Sequence, residues 1–361
     1  MRTYLDHNAT SPLRPAARQA MLAAMDVCGN ASSVHAEGRA ARHLLDQLRQ
    51  TIAAALGVLP AMVTFTSGGS EANAMALAGV PVERLLVSAI EHPSVIEAAR
   101  SSGKTVKIIP VTAVGQVDLE ALAGMLPGPT ALVSVMLANN ETGVIQPVAE
   151  VVRLCQRHGA IVHCDAVQAL GKIPFNFGVL GVDLLTVNAH KLGGPAGVGA
   201  LVIRDGLAIR PLVKGGGQES RRRAGTENIP AIAGFAAAVS EKIQDINILR
   251  DRLEASLEDE TVFGCGGPRL PNTSCIAAPG AKAETLLMAL DLDGIAVSSG
   301  SACSSGKVAP SHVLAAMGDE PEVARAAIRV SLGWNSTVED VDRFIAAWKR
   351  IRARHKARAA A

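Results

Sequence analysis

The regular alternation of short apolar runs with helical stretches constrains the fold of this chain most strongly. The helices are recognised by a period of about 3.6 residues, as in Pro147–His158. Successive strands separated by helices predict a largely parallel sheet with helices on both faces, which binds ligands beyond the carboxyl ends of its strands. The predicted strands are Val63–Thr66, Leu85–Ser88, Val106–Val111, Ala131–Met136, Ala160–His163, Leu184–Val187 and Val198–Ile203.

The pattern changes at about residue 229, where we predict one long helix over 229–257 followed by shorter mixed elements. A domain boundary is predicted inside this helix, near Asp245. The predicted fold class is therefore α/β, with a large domain at 12–245 and a smaller α+β domain formed by 1–11 and 246–361. The strands predicted in the second part are Thr273–Ala277, Ile295–Ser298 and Ala326–Ser331.

Composition excludes several classes of protein. Hydrophobic residues make up 48% of the 361 residues, which is enough for a substantial core. The 35 basic and 33 acidic residues give a net charge of +2, so nothing in the overall charge favours nucleic acid or an anionic membrane as a partner. The chain shows no apolar signal core at its start and no apolar run long enough to span a bilayer, and we expect a cytoplasmic protein.

The six cysteines are scattered, without a C-x-x-C pair, so a structural zinc site is not favoured. We expect all of them except Cys303 to be buried as small hydrophobic side chains. Cys303 is different because it lies among small residues, in Ser298–Lys307. This composition is typical of an exposed loop, where a thiol near a basic residue can ionise and act as a nucleophile.

Two charged residues follow predicted strands and suggest cofactor chemistry. Lys191, in the sequence Asn188–Pro195, stands between a strand and a Gly-rich turn, and a lysine there can form a Schiff base if its pKa is lowered. Asp165 closes another strand, where it can either pair with a protonated pyridine nitrogen or cap the following helix. A metal site formed by His163 and Asp165 is not favoured, because no third ligand is near in the sequence.

A glycine turn and a histidine suggest two further parts of a cofactor site. In Thr66–Asn73 a strand, a glycine turn and a helix start follow one another, and the free N–H groups of such a helix suit a phosphate. The P-loop lysine and the dinucleotide fingerprint are lacking, so a nucleotide is disfavoured. His92 follows the next strand, where an imidazole can stack on a planar cofactor and move protons. Arg329, in a later strand, suits a substrate carboxylate or a structural ion pair.

With these residues the chain resembles the cysteine desulfurases of the nitrogen-fixation and iron–sulfur-assembly type, within class V of the aminotransferase-like enzymes. The resemblance runs from Tyr4 to about Trp348, and the cysteine loop is its most discriminating motif. The stretches that carry it are Tyr4–Thr10, Ser67–Glu71, Glu91–His92, Asn139–Gly143, His163–Gln168, His190–Lys191, Arg223–Asn228 and Ser298–Ser304.

This resemblance implies the aspartate-aminotransferase-like fold of pyridoxal-phosphate enzymes (fold type I) and a set of residue roles. Lys191 would carry pyridoxal phosphate, His92 would stack on the ring, and Asp165 would pair with the pyridine nitrogen. Gln168 would contact the ring hydroxyl. The implied phosphate contacts are Gly69, Ser70, Asn188, His190 and, from a second subunit, Thr226. The implied contacts to the substrate carboxylate are Asn8, Arg329 and Asn140, which is also assigned to the cofactor.

The resemblance also implies a reaction and its partners. Sulfur would pass from L-cysteine to Cys303 as a persulfide, with L-alanine as the other product and Lys191 moving the α-proton. A phosphate contact from another subunit implies a homodimer with shared active sites. An iron–sulfur scaffold or another sulfur-acceptor protein would then receive the sulfur. The resemblance is compatible with a nitrogenase pathway, general iron–sulfur assembly and tRNA thiolation. The chain departs from many relatives in carrying Asn188 in place of Ser and Gln218 in place of His.

Two other interpretations remain open from the sequence. The chain could be a different pyridoxal-phosphate enzyme, such as a transaminase or a selenocysteine lyase, or a non-catalytic sulfur carrier or scaffold that uses Cys303 as a ligand. The basic residues between Lys349 and Arg358 allow either a solvated helix end or a docking surface for an acidic partner.

Overall fold

The computed structural model describes residues 2–243, 245–299 and 310–359. Its strands are β1 Thr3–Tyr4, β2 Val63–Thr66, β3 Arg84–Ser88, β4 Thr105–Ile109, β5 Ala131–Ser134, β6 Ile161–Asp165, β7 Leu184–Asn188, β8 Gly199–Ile203, β9 Thr261–Val262, β10 Thr273–Ala277, β11 Ile295–Ala296 and β12 Ala327–Ser331. Its α-helices are α1 Pro15–Met25, α2 Ala36–Leu56, α3 Gly69–Gly79, α4 Pro93–Ser101, α5 Leu119–Met125, α6 Val148–Gln156, α7 Phe177–Leu180, α8 Ile229–Val239, α9 Asn247–Glu254, α10 Ala283–Leu292, α11 His312–Ala316, α12 Pro321–Arg325 and α13 Val338–Ala359.

A seven-stranded sheet forms the centre of the fold, in the order β2-β8-β7-β6-β5-β3-β4. The strand β8 runs antiparallel to its neighbours β2 and β7, and the other strands share one direction. The predicted largely parallel sheet is therefore confirmed. Because β2, β3, β5, β6 and β7 all point the same way, the segments that follow them meet at one edge of the sheet.

Helices cover both faces of this sheet, as the near-continuous apolar strands require. Alternate residues of β3 enter different clusters. Leu85 and Val87 pack in the cluster that includes α3 and α4, whereas Leu86 packs in the larger one that includes α1, α2, α6 and α8. At the end of the sheet β4 exposes most of its residues, among them Lys107, a charge that discourages pairing with another strand.

The remaining strands form two small sheets. In one, β10 lies between β9 and β12 with antiparallel pairing, and in the other β1 pairs with β11 in parallel. A separate apolar cluster contains Leu5 together with residues from Leu253 to Ile351, with Phe344 stacked on Trp348. This cluster agrees with a small unit made of 1–11 and 246–361, and we retain that division as a proposal.

The prediction of one long helix over 229–257 is wrong. The structure has two helices, α8 and α9, and the segment between Val239 and Asn247 is not helical where it is described. No Gly or Pro in that segment signals a break. The packing explains it, because α8 is almost wholly buried against α1 and α2 whereas α9 packs on α13 in a different apolar cluster. Tertiary contacts thus override a continuous local pattern.

The prediction that five cysteines are buried is also wrong in part. Cys155, Cys164 and Cys275 are buried, but Cys28 and Cys265 are exposed. Both exposed thiols lie outside helices and strands and next to a glycine, where the chain turns at the surface. Cys303 lies outside the described residues.

Several basic residues of α13 have partners within the chain. Arg352 is buried and its guanidinium contacts Glu260 at 2.9 Å and Asp259 at 3.3 Å. Arg350 pairs with Asp293 at 2.7 Å. The start of the helix carries the capping pair expected from the sequence, since Asp340 N donates to the Thr337 hydroxyl and the Thr337 N–H donates to the Asp340 carboxylate. This basic helix is therefore used in part to hold the small unit together.

Three consecutive non-glycine residues adopt left-handed backbone angles, Glu219 (φ 46°), Ser220 (φ 54°) and Arg221 (φ 62°). Each costs on the order of 1 kcal/mol relative to a right-handed conformation. The buried Glu219 carboxylate holds the turn, because it accepts two hydrogen bonds from Arg49, at 2.6 and 2.8 Å, and one from the Phe65 N–H at 2.9 Å. We call residues 219–221 the left-handed turn.

Replacing Ser220 by glycine should stabilise the protein. Glycine adopts the left-handed region without steric cost, so Ser220→Gly should raise the free energy of unfolding by about 0.5–1 kcal/mol in urea titration. The control is Ala40→Gly, at an exposed position inside the helix α2, where glycine should destabilise. A loss of stability in Ser220→Gly would contradict this account of the turn.

Candidate active site

A cavity of about 610 Å³ opens at the edge of the sheet where the parallel strands end. The predicted site residues that line it are Asn8, Gly69, Ser70, His92, Asn140, Asp165, Gln168, Asn188, His190, Lys191 and Arg329. Thr226 does not line this cavity and is exposed on its own chain. Cys303 lies outside the described residues, but Ser298 and Ser299 before it and His312 after it line the cavity.

The Lys191 amine lies beyond the end of β7. Its Nζ donates hydrogen bonds to the backbone oxygens of Asn8 at 2.6 Å and Ala9 at 2.7 Å. Burial, followed by the positive charge of Arg329, lowers the pKa of Lys191 to about 8, against the opposing carboxylates of Asp6 and Asp165. About a tenth of the amine is therefore neutral at pH 7, far more than for an ordinary lysine, as a nucleophilic lysine requires.

The Asp165 carboxylate closes β6 and is buried. One of its oxygens accepts from the Asn73 side-chain amide at 2.8 Å and the other from the Val167 N–H at 2.9 Å. Burial raises the pKa of Asp165, and these hydrogen bonds together with the charges of His92 and Lys191 act against that rise. The carboxylate can thus pair with a cationic ring nitrogen, and this pairing would stabilise the charged form of Asp165 further.

A second acid, Glu91, lies close to Asp165 and has no role in the sequence-based predictions. It is fully buried, and one carboxyl oxygen accepts from the Met136 N–H at 2.6 Å. Burial, and then the negative charge of Asp165, raises the pKa of Glu91 well above its usual value. Both effects favour the neutral form of Glu91 beside Asp165.

His92 begins α4 as its N-cap, and its Nδ1 accepts from the Ser94 N–H at 3.1 Å. The Ser94 hydroxyl lies 2.8 Å from the same nitrogen. The ring is exposed to the cavity yet closely surrounded by protein, and this partial burial lowers its pKa, with Lys191 and His312 acting in the same direction and Asp165 against it. His92 is thus a neutral imidazole at the cavity wall.

The glycine turn between β2 and α3 leaves room beside the first helical N–H groups. Gly68 has φ 156°, and a Cβ on Gly69 would approach Val167 Cγ2 to 3.0 Å. Glu71 fixes the turn by accepting from the Ser67 N–H at 2.6 Å and from Arg223 at 2.8 Å. The N-terminus of α3 is therefore free to receive an anion.

Asn8 connects the N-terminal segment and the strand β10 to this edge of the sheet. Its backbone oxygen accepts from Gln168 at 3.0 Å in addition to Lys191, and its Oδ1 accepts from the Lys172 amine at 2.7 Å and from Asn272 at 3.0 Å. Its own amide donates to Thr273 Oγ1 at 2.9 Å. The side chain of Asn8 is therefore fully used by the protein, and its contribution to the cavity is made mainly by its backbone.

The Arg329 guanidinium is also buried and lines the cavity. Its Nη1 donates to the Asn140 backbone oxygen at 3.0 Å and its Nη2 donates to Asp6 at 2.8 Å. A guanidinium has five N–H groups, so three remain for another acceptor. Both expectations for this residue, a structural ion pair and a carboxylate site, are thus compatible in one side chain.

Sequence reasoning missed several cavity residues. Asn73 and His312 line the cavity, and the Lys172 amine contacts both Asn8 and Gln168 from behind it. His312 Nε2 lies 2.9 Å from the Glu91 backbone oxygen. The motif Ser67–Asn73 contains Asn73, and only its place one helical turn into α3 could have indicated an inward-facing side chain.

His163 has a structural role. It is fully buried, with Nδ1 2.8 Å from the Ser134 hydroxyl and Nε2 3.0 Å from the Thr186 hydroxyl, and burial lowers its pKa to about 3. In the described part of the chain no group of three histidine, cysteine or acidic side chains is arranged to hold a metal ion.

The comparisons with known proteins agree with this geometry. The model of the class-V aminotransferases matches residues 3–344. The chain belongs to that family. It is 43% identical to a cysteine desulfurase of Cereibacter sphaeroides, over 95% of this chain and 94% of that one, and 40% identical to an IscS-like cysteine desulfurase of Mycobacterium tuberculosis, over 94% and 93%. A NifS-like protein from Rickettsia africae has a similar structure, with a TM-score of 0.90, 38% identity and coverage of 97% and 99%.

These findings confirm three predictions made from the sequence. They are the resemblance to the cysteine desulfurases, the fold type I architecture and pyridoxal phosphate as cofactor, on which this family depends. Along the described residues, no helix has both the length and the apolar character needed to cross a bilayer.

The residues of the cavity fit pyridoxal phosphate. Buried polar atoms without a partner among the described residues include Asn73 Oδ1, Asn140 Oδ1, Asn188 Oδ1 and Arg329 Nε, and all four belong to cavity-lining residues. Buried polar atoms are rarely left unsatisfied, so this concentration indicates a polar ligand. The helix N-terminus of α3 suits its phosphate and Asp165 suits its ring nitrogen.

The lowered pKa of Lys191 can be measured on cofactor-free protein. Because only the neutral amine attacks an aldehyde, the rate at which pyridoxal phosphate becomes bound should rise about tenfold per pH unit below pH 8 and level off above it. Stopped-flow absorbance checks this, with Lys191→Ala as the control that forms no covalent product. A rate still rising steeply at pH 10 would show an ordinary lysine.

Proposed function

We propose that the chain is a pyridoxal-phosphate-dependent cysteine desulfurase that converts L-cysteine to L-alanine and leaves the sulfur on Cys303 as a persulfide. One observation carries the proposal. The amine of Lys191, the carboxylate of Asp165 and the guanidinium of Arg329 face one cavity, and the residues flanking 300–309 line the same cavity. The relatives named as cysteine desulfurases support the same activity.

The cofactor, when bound, supplies an electron sink that makes the bonds around the substrate Cα and Cβ labile. Asp165 would hold its ring nitrogen in the charged form and His92 would cover its ring face. Gln168 would contact the ring hydroxyl, to which it can donate because only one hydrogen bond from its Nε2 is made to Asn8. The proposed phosphate contacts are Gly69, Ser70, Asn188 and His190.

Lys191 and Arg329 would bind and activate the substrate. The three free N–H groups of Arg329 can hold the cysteine carboxylate while the pairs with Asp6 and Asn140 fix the guanidinium. Asn140 has an unpartnered amide oxygen that can accept from the substrate or cofactor. The neutral fraction of Lys191 can take the α-proton, since its pKa is about 8.

Cys303 would complete the reaction. It lies four residues after Ser299, which lines the cavity, and four residues span at most about 14 Å, so the length of the chain permits its thiol to reach the cavity. Its thiolate attacks the substrate sulfur, the Cβ–S bond breaks, and its electron pair stays on the three-carbon fragment that is protonated to alanine. L-Cysteine and a thiol thus become L-alanine and a persulfide, with atoms and electrons balanced.

We also propose a cytoplasmic homodimer in which Thr226 of one protomer contacts the cofactor phosphate of the other. The exposure of Thr226 and its absence from the cavity of its own chain support this arrangement. The persulfide would then pass to an iron–sulfur scaffold or another sulfur-acceptor protein.

Replacement of Cys303 by serine should separate this function from that of a transaminase. In Cys303→Ser, alanine and sulfide production from cysteine should fall at least on the order of 100-fold, because the acceptor of the sulfur is lost. The matched control is Cys265→Ser, which removes another exposed thiol and should leave the rate unchanged. A transaminase would keep its activity in both variants.

Mixing two inactive variants tests the shared site. Lys191→Ala and Thr226→Ala homodimers should both be impaired, but a heterodimer has one site with both residues intact if Thr226 acts across the interface. Unfolding and refolding an equimolar mixture should restore about a quarter of the wild-type rate, since half the dimers are mixed and half their sites are complete. If mixing restores nothing, Thr226 does not act from the partner.

A further inference from the structure

We propose that Asn73 and Ser94 are positioning residues that connect Asp165 to His92 and thereby fix His92 as the tautomer that carries its proton on Nε2. The connection is a chain of hydrogen bonds across three elements, from the end of β6 through α3 to the start of α4. The two positioning residues do not act on the substrate themselves.

The direction of the chain is set at Asp165. An ionised carboxylate only accepts hydrogen bonds, so the group of Asn73 that lies 2.8 Å from Asp165 Oδ2 must be its NH₂. The opposite orientation would place the Asn73 oxygen against the carboxylate. The second hydrogen of the same NH₂ is donated to the Ser94 hydroxyl at 3.0 Å. Asn73 is almost wholly buried, at 1% exposure, and has little room to turn.

The Ser94 hydroxyl passes this direction on. Its oxygen accepts from Asn73, so its own hydrogen is available for another acceptor. His92 Nδ1 lies 2.8 Å away and is placed to accept it. An ionised Asp165 at one end of this chain of hydrogen bonds therefore favours an unprotonated Nδ1 on His92 at the other end.

A backbone N–H of the helix α4 also donates a hydrogen bond to His92 Nδ1. The Ser94 N–H donates to Nδ1 at 3.1 Å, as an N-cap requires, and a backbone N–H cannot reverse its role. A proton on Nδ1 would face two donors at once. The neutral ring therefore carries its hydrogen on Nε2, the nitrogen that is left for the contents of the cavity.

The other charged groups around His92 favour the same neutral form on balance. Lys191 and His312, from the segments after β7 and at the start of α11, lower its pKa along with burial, and Asp165 opposes them. In this state His92 can donate a hydrogen bond from Nε2 but cannot accept a proton there. On the proposed function, it would therefore hold the contents of the cavity by that hydrogen bond rather than take a proton from the substrate.

The tautomer can be observed without cofactor or turnover. In protein labelled with ¹⁵N-histidine, the ring signals of His92 are identified by their loss in His92→Gln. We expect a protonated Nε2 and an unprotonated Nδ1 in the wild type. In Ser94→Ala, loss of the donor to Nδ1 should raise the pKa of His92 by at least half a unit (~0.5) or introduce the other tautomer, and Ser94→Thr should restore the wild-type signals. Asn73→Ala should shift His92 in the same direction although it does not touch the ring.

The chain offers a matched control in a second serine–histidine pair. The Ser134 hydroxyl lies 2.8 Å from His163 Nδ1, the same distance as in the proposed chain, but this pair is outside the cavity. Ser134→Ala should change the signals of His163 and leave those of His92 unaltered. A wild-type His92 protonated on Nδ1, or His92 signals and pKa unchanged in both Ser94→Ala and Asn73→Ala, would overturn the proposal.

A kinetic measurement relates the tautomer to catalysis. In Ser94→Ala and Asn73→Ala, kcat should fall about tenfold or more with KM changed less than twofold, and Ser94→Thr should recover most of the loss. This measurement rests on the proposed function, whereas the ¹⁵N spectra do not. If the spectra change as expected in a protein without desulfurase activity, the proposed function fails and the hydrogen-bond chain stands.

Discussion

The hydrogen bonds made by the backbone oxygens of Asn8 and Ala9 hold the two parts of this site together. The Lys191 amine comes from the edge of the central sheet, and its acceptors come from the N-terminal segment, whose strand β1 pairs with β11. Gln168 uses the same Asn8 oxygen, and Asp6 two residues earlier holds Arg329. A backbone carbonyl cannot be removed by substitution, so the position of the lysine depends on the path of the chain and not on one side chain.

The charged groups in and around the cavity shift the pKa values of their neighbours. Glu91 and Asp165 are both buried near one another, and burial together with the negative charge of Asp165 raises the pKa of Glu91, which favours its neutral form. On the positive side, the pKa of Lys191 is lowered to about 8 by burial and by Arg329, while Arg329 remains paired with Asp6. Such opposed shifts let one lysine act as a nucleophile and a base at neutral pH.

Much of the fold and of the site could be predicted from the sequence because the relevant signals are local. Strands with apolar residues on both faces were recognisable from composition, and polar residues directly after them had to meet at one edge. The break between α8 and α9 could not be predicted, since it follows from packing against different units. For the same reason Asn73, Glu91 and Lys172 were missed as site residues. Their roles arise from neighbours that are distant in sequence, such as Asp165 for the first two and Asn8 for the last.

The left-handed turn at Glu219–Arg221 has a consequence for how this part of the chain can change during evolution. Loss of the Glu219 carboxylate alone would leave the Phe65 N–H buried without an acceptor and the half-buried Arg49 guanidinium with only the Val63 backbone oxygen, at a cost on the order of several kcal/mol. Loss of Arg49 alone would leave the buried Glu219 carboxylate with a hydrogen bond from the Phe65 N–H but without its cationic partner. A viable route therefore needs compensating replacements on two segments, so Arg49 and Glu219 should co-vary among descendants of this sequence, while Ser220, which follows Glu219, is free to drift towards glycine.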